Sequence, residues 1–218
     1  MIDEDAAQAL LSQFALRRHG APPGRASGYV LMLHGRGASA DSILDLADAF
    51  ALPDLCFLAP QAQGNTWYPL PFIAPLAANE PHLGQALAIT AGILAHLEAA
   101  GIPAGKIGIC GFSQGACLAT ETAIRNPRAY GAVIGYSGGY IGPLGPQRQE
   151  AASLAGARVF LGCSDVDPHI PFARVHQTTT LMRAMGATVD ERIYPGFGHG
   201  INHDELNAGR VLLAELSA

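Results

Sequence analysis

Gly111-Phe112-Ser113-Gln114-Gly115 joins an apolar run, Lys106-Ile107-Gly108-Ile109-Cys110, to a helical pattern from Gly115 to Ile124. A serine between two spaced glycines, at the junction of strand and helix, has the spacing of a nucleophile elbow. The turn is so tight that a side chain at either glycine would collide with the neighbouring strand and helix. The serine then sits at a strained apex with its hydroxyl exposed. The helix N-terminus favours negative charge developing beside it. A hydroxyl is a weak nucleophile until a base takes its proton. His199, within Tyr194-Pro195-Gly196-Phe197-Gly198-His199-Gly200, is the candidate base among eight histidines. Glycines on both sides let its imidazole project from a loop just after the final strand-like run.

A base of this kind needs a carboxylate to hold its tautomer and to stabilise the imidazolium. Cys163-Ser164-Asp165-Val166-Asp167-Pro168-His169-Ile170-Pro171 offers two, Asp165 and Asp167. An Asp in such a loop can equally bond nearby backbone N–H groups as a turn residue, which is the alternative for Asp165. His34-Gly35-Arg36-Gly37-Ala38 follows a buried run and can present a backbone N–H to an oxyanion, with Arg36 and Gln114 as the two donors. The Arg36 side chain is open to two uses, a solvated charge or a partner for an anionic substrate group. Trp67, Tyr68 and Phe72, with Ile73 and Leu76, are candidates for an apolar substrate wall. Filling the core is the alternative for all of them.

The elements that must position these residues alternate along the chain. Strand-like runs occupy 28–33, 55–58, 106–110, 132–135, 159–162 and 188–194. Helical patterns follow Ser39-Ala40-Asp41-Ser42, run from Leu83 to Gly101 after an Asn79-Glu80-Pro81 start, and recur over 115–124, 172–185 and 206–216. Runs without polar alternation suit parallel strands buried on both faces. The pattern predicts an α/β fold over 1–218 as one domain, with a mostly parallel sheet between helices. Ligands in such sheets bind beyond the carboxyl ends of the strands, where every candidate above lies.

Composition narrows the classes. Of 218 residues, 49% are apolar and 14% charged, which excludes a disordered chain. Thirteen Lys and Arg against eighteen Asp and Glu give a net charge of −5 with no basic block, so nucleic acid is not the expected partner. The uncharged stretch Leu83 to Ala95 is too short to span a bilayer. The acidic start Met1-Ile2-Asp3-Glu4-Asp5 is unlike a signal peptide. Cys56, Cys110, Cys117 and Cys163 form no C-x-x-C pair and lie in apolar company, which predicts buried free thiols and a cytoplasmic protein.

HGRGAS after a strand, GFSQG, SDVDPHIP and YPGFGHGINHDEL, in this order, resemble the phospholipase/carboxylesterase family of α/β-hydrolases, which includes acyl-protein thioesterases. The resemblance runs from about Tyr29 to the C-terminus. It implies an α/β-hydrolase fold without a large cap domain, whose site residues appear in the order Ser, acid, His. It implies Ser113 as nucleophile, Asp167 rather than Asp165 as acid, His199 as base, and Arg36 and Gln114 as backbone oxyanion donors. Many members have His-Gly-Asp before the acid, where this chain has Gly162-Cys163-Ser164-Asp165. Arg36 stands where the thioesterases commonly carry an apolar residue, and Asn65-Thr66-Trp67-Tyr68 departs from their long-acyl loop. These departures leave the three side chains in place and turn the substrate expectation towards small carboxylic esters, with thioesters or lysophospholipids as the alternative.

Three other readings compete. His199, His203 and Asp204 have the spacing of a metal pair, but zinc wants three or four ligands on firm elements, so no metal or other cofactor is expected. Cys110 as nucleophile would misplace the elbow. A non-catalytic ligand-binding module on this fold usually lacks one of the three side chains, and all three are present. The expected partner is a small-molecule ester, with monomer and homodimer both open.

Overall fold

Seven strands pair into a single sheet in the computed structural model, which describes Ile2 and residues 4–218. They are β1 (Arg17–Gly20), β2 (Gly28–Leu33), β3 (Leu55–Ala59), β4 (Ile107–Phe112), β5 (Ala132–Tyr136), β6 (Arg158–Ser164) and β7 (Thr188–Tyr194). Their order is β1-β3-β2-β4-β5-β6-β7, with β1 antiparallel to β3 and every other pairing parallel. The six parallel strands are the six strand-like runs of the sequence. Every residue of β2, β3 and β5 is buried, the expected state of a strand covered on both faces.

The helices are α1 (Glu4–Gln13), α2 (Ala40–Phe50), α3 (His82–Ala99), α4 (Gln114–Arg125), α5 (Phe172–Ala184) and α6 (His203–Ala214). Side-chain alternation along the strands builds two cores. Tyr29, Leu31 and Leu33 of β2 pack with Leu10 of α1, Leu83 and Leu94 of α3, Leu118 of α4 and Val175 of α5. Val30 and Met32 point the other way, towards Ile43, Leu44 and Phe50 of α2 and Leu213 of α6. The period of two in β2 thus assigns each helix layer its face. The fold is the α/β-hydrolase fold, with the sheet between helices on both sides.

Side-chain caps fix the starts of two helices, α2 and α6. Ser39 caps α2 in a reciprocal box, accepting from the Ser42 N–H at 3.1 Å while the Ser42 hydroxyl accepts from the Ser39 N–H at 3.0 Å. Asn202 and Glu205 form the same box at α6, which therefore begins three residues earlier than its apolar pattern. The expected Asn79 cap is corrected. Asn79 closes a short 3-10 turn over Leu76–Asn79 and is fully buried, whereas α3 starts at His82 without a side-chain cap. Its amide instead takes the Leu70 N–H at 2.8 Å and donates to the Pro71 carbonyl at 3.3 Å, so it fastens the loop bordering the site.

Candidate active site

Ser113 stands alone between the end of β4 and the start of α4, at φ 56° and ψ −119°. A non-glycine residue in that region carries strain of about 1–3 kcal/mol, held only where the surroundings over-determine it. Here its N–H donates to the Tyr136 carbonyl at 2.9 Å, and its carbonyl accepts from the Cys117 N–H at 3.0 Å. One bond reaches the neighbouring strand and the other the first turn of α4. A Cβ at Gly111 would lie 2.3 Å from the Gly115 carbonyl oxygen, and one at Gly115 would lie 2.0 Å from that of Leu33. The turn closes only because both positions are glycine.

Three side chains from three loops meet at this apex. Ser113 Oγ lies 2.9 Å from His199 Nε2, and His199 Nδ1 lies 2.7 Å from Asp167 Oδ2. The carboxylate accepts from Nδ1–H, which leaves the Nε2 lone pair facing the serine hydroxyl. Asp167 Oδ1 accepts the N–H groups of His169 at 2.8 Å and Ile170 at 3.0 Å. Burial pushes the Asp167 carboxyl up, but the bonds from His199 and from these two amides outweigh it and hold the group below its ordinary value. The imidazole packs between Phe112, 5.0 Å away ring to ring, and the edge-on ring of His169 at 4.9 Å.

Asp165 is placed differently. Its Oδ1 accepts the Gly196 N–H at 2.8 Å, and Ser164 Oγ accepts the Gly198 N–H at 2.9 Å. The sequence did not reveal these contacts, which join residues more than thirty positions apart.

A cleft of about 800 Å³ opens beside Ser113. Tyr68, Phe72 and Ile73 line it together with Pro71 and Ile170. Trp67 and Leu76 do not, which corrects two candidates for the wall. Trp67 is tied beneath the loop, its backbone N–H on Gln114 Oε1 at 3.0 Å and its indole N–H on the His34 carbonyl at 2.8 Å. Leu76 lies outside the cleft and is partly exposed.

Arg36 and Gln114 line the cleft together with the serine. Gln114 is the first residue of α4, where amide groups have no partner within the helix. The Arg36 guanidinium, for which two uses were open, donates to the carbonyls of Tyr68, Pro69 and Leu70 at 2.9–3.0 Å. It is a brace for the rim. Buried His34 is a second brace. Nε2 accepts the Ala62 N–H at 3.1 Å, Nδ1 donates to the Gly35 carbonyl at 2.8 Å, and burial lowers its pKa.

Asp204 Oδ2 is taken by Arg192 at 2.8 Å and by the Tyr194 hydroxyl at 2.7 Å. Among the described residues, no three His, Cys, Asp or Glu side chains cluster as metal ligands. All four cysteines are buried free thiols, and burial pushes Cys163, the one beside Asp167, up to about 12.

The sequence profile of the phospholipase/carboxylesterase family matches residues 20–215. The chain belongs to that family. This member is, accordingly, a carboxylic ester hydrolase. It is similar to a phospholipase/carboxylesterase of Dyadobacter fermentans, at 39% identity and a TM-score of 0.86 over 91% of this chain and 95% of the other. A protein of Oryza sativa subsp. japonica named as a probable carboxylesterase is 27% identical across 82% of this chain and 84% of its own length. Acyl-protein thioesterase 1 of Debaryomyces hansenii is 35% identical over 109 residues, covering 48% of this family member and 46% of the thioesterase. No helix among the described residues is long and apolar enough to cross a membrane.

Proposed function

We propose that this family member is a serine esterase that hydrolyses small carboxylic esters through an acyl-enzyme. The observation that carries the reading is the continuous relay from Asp167 through His199 to the Ser113 hydroxyl at hydrogen-bond distances. His199 Nε2 takes the hydroxyl proton as Ser113 Oγ attacks the ester carbonyl, and Asp167 stabilises the imidazolium that results. The tetrahedral oxyanion lies against the backbone N–H groups of Arg36 and Gln114. A single such donor is worth about 3 kcal/mol of transition-state stabilisation. His199 then protonates the departing alcohol. Water, deprotonated by the same nitrogen, releases the acid and restores the serine.

The apolar cleft takes the acyl group against Tyr68, Phe72, Ile73 and Ile170. Thioesters undergo the same steps with a thiol as leaving group, and the likeness to a thioesterase makes them the second class to test. Four buried free thiols fit a reducing cytoplasm.

A fluorophosphonate reads out the activated serine directly. Stoichiometric labelling of the folded protein, abolished in Ser113→Ala, is the expected result. Folded protein that stays unlabelled sinks the proposal and leaves a ligand-binding module. A panel of nitrophenyl esters beside palmitoyl thioesters and lysophospholipids ranks the substrate classes.

A further inference from the structure

Backbone pairing between β6 and β7 ends at Ser164 opposite Tyr194. Beyond that point the two chains diverge into the loop carrying Asp167 and the loop carrying His199. The second loop is Pro195-Gly196-Phe197-Gly198, with Gly196 at φ 67° and Gly198 at φ 86°. Two glycines in the left-handed region let the chain turn, but they supply no side-chain packing to hold it there. Phe197 between them is 46% exposed, so it anchors little. Something else must fix the backbone that aims the imidazole.

The geometry points to Ser164 and Asp165 as positioning residues for His199. Where the ladder stops, their side chains continue it. Asp165 Oδ1 takes the Gly196 N–H at 2.8 Å, and Ser164 Oγ takes the Gly198 N–H at 2.9 Å. The Asp165 N–H also reaches the Tyr194 carbonyl at 3.3 Å. Two residues beyond Asp165, the same loop holds the imidazole itself through Asp167. One loop therefore grips the other at Gly196, Gly198 and the His199 ring. The base and its acid move as a unit relative to Ser113. Ser164 is buried and committed to this geometry, because its oxygen also accepts the Val166 N–H at 3.3 Å. Without the two backbone grips the turn loses its anchors at Gly196 and Gly198, and the ring keeps only its own contacts with Asp167, Phe112 and His169. A turn released at both glycines lets the imidazole tilt about Nδ1 and carry Nε2 off the serine.

This inference rests on the proposed Ser113–His199–Asp167 relay. It makes the acceptor oxygen of residue 165 the feature that matters, not its charge. Asp165→Ala removes the acceptor, whereas Asp165→Asn keeps an amide oxygen that can take the Gly196 N–H. The test measures kcat and KM on a nitrophenyl ester, with rates divided by the active-site concentration titrated with fluorophosphonate. Asp165→Ala and Ser164→Ala are each expected to lower kcat per titrated site roughly tenfold, the scale of one lost hydrogen bond, with KM little changed. Asp165→Asn is expected to recover most of the loss.

A structural role alone would lower the titrated fraction or the melting temperature and leave the rate per site intact, which overturns the inference. So does an equal loss in Asp165→Asn and Asp165→Ala. If Asp165→Ala does not fold, Ser164→Ala reads the same loop through Gly198. Failure of the underlying relay has a separate signature, since the parent protein would then not label at Ser113 at all.

Discussion

At the residue scale the site depends on where each proton sits. Asp167 is the only described carboxylate bonded to the His199 ring, and it spends its second oxygen on two backbone amides. The carboxylate is thereby fixed as an acceptor facing Nδ1–H. Asp167→Asn keeps the shape but can turn an amide N–H towards Nδ1, which would place the ring proton on Nε2 and remove the lone pair that, in the proposed mechanism, activates Ser113. A fall in kcat of about 10⁴ is expected, the size of the matching change in a serine protease, with the fold intact by circular dichroism. A loss below tenfold would show that Asp167 does not set the tautomer. As candidates, Ser113 was legible from the residues themselves because glycine spacing reports a backbone constraint, and His199 from its glycine-flanked loop together with its place after the last strand. The choice between Asp165 and Asp167 was not, since both occupy one short loop. Only the position of the neighbouring loop, thirty residues away in sequence, shows that one bonds the ring and the other the backbone beneath it.

At the element scale, what was legible follows burial. Five of the six parallel strands were readable because strands covered on both faces are apolar; the sixth, β7, is an edge carrying Asp190, Glu191 and Arg192, and only the β-favouring Thr188, Val189, Ile193 and Tyr194 at its ends marked it. Strand β1 was not, because Arg17-Arg18-His19-Gly20 is an edge, and edges are defended by charge rather than marked by hydrophobicity. The rim of the cleft was hidden for a related reason. The loop over 65–71 is shaped by polar side chains from elsewhere: the Arg36 guanidinium, the Asn79 amide and the Gln114 amide, which also donates to the Tyr68 carbonyl at 2.8 Å. No local pattern announces such bonds. Arg36 is the informative one to remove, because its planar fork reaches three carbonyls that a lysine ammonium cannot span together. Arg36→Ala should raise KM by about threefold, kcat falling less, because the group is exposed and each bond is modest. Arg36→Lys should recover little of it. An unchanged KM in Arg36→Ala would mean that the wall bearing Tyr68 stands without its brace.

At the scale of the whole molecule, the junction of sheet and final helix carries a titratable group inside the core. Glu205 in the first turn of α6 is 1% exposed, and it fits against β6 because Gly162 has no side chain; a Cβ there would lie 2.3 Å from Glu205 Oε1. Oε2 accepts the Asn202 N–H at 2.8 Å, while Oε1 has no hydrogen-bond partner among the described residues. Burial raises the carboxyl from 4.5 to about 7, the nearby carboxylates of Asp204 and Asp167 push the same way, and the Asn202 amide opposes them. The sign of the linkage follows. Below about pH 4.5 the group is protonated whether the chain is folded or not, and its contribution to stability is complete. Between 4.5 and 7 the unfolded chain releases the proton while the folded one retains it, so stability falls as pH rises, and above 7 the loss is complete. The full difference is on the order of 3 kcal/mol. Glu205→Gln keeps an acceptor for the Asn202 N–H and cannot ionise. Its melting temperature relative to the parent should therefore be several degrees more favourable at pH 8 than at pH 4.5. Melting curves of the two proteins at both pH values check this. A difference that stays constant with pH would place the Glu205 proton equilibrium at its ordinary value, and the core beneath the site would then hold a charge that it tolerates.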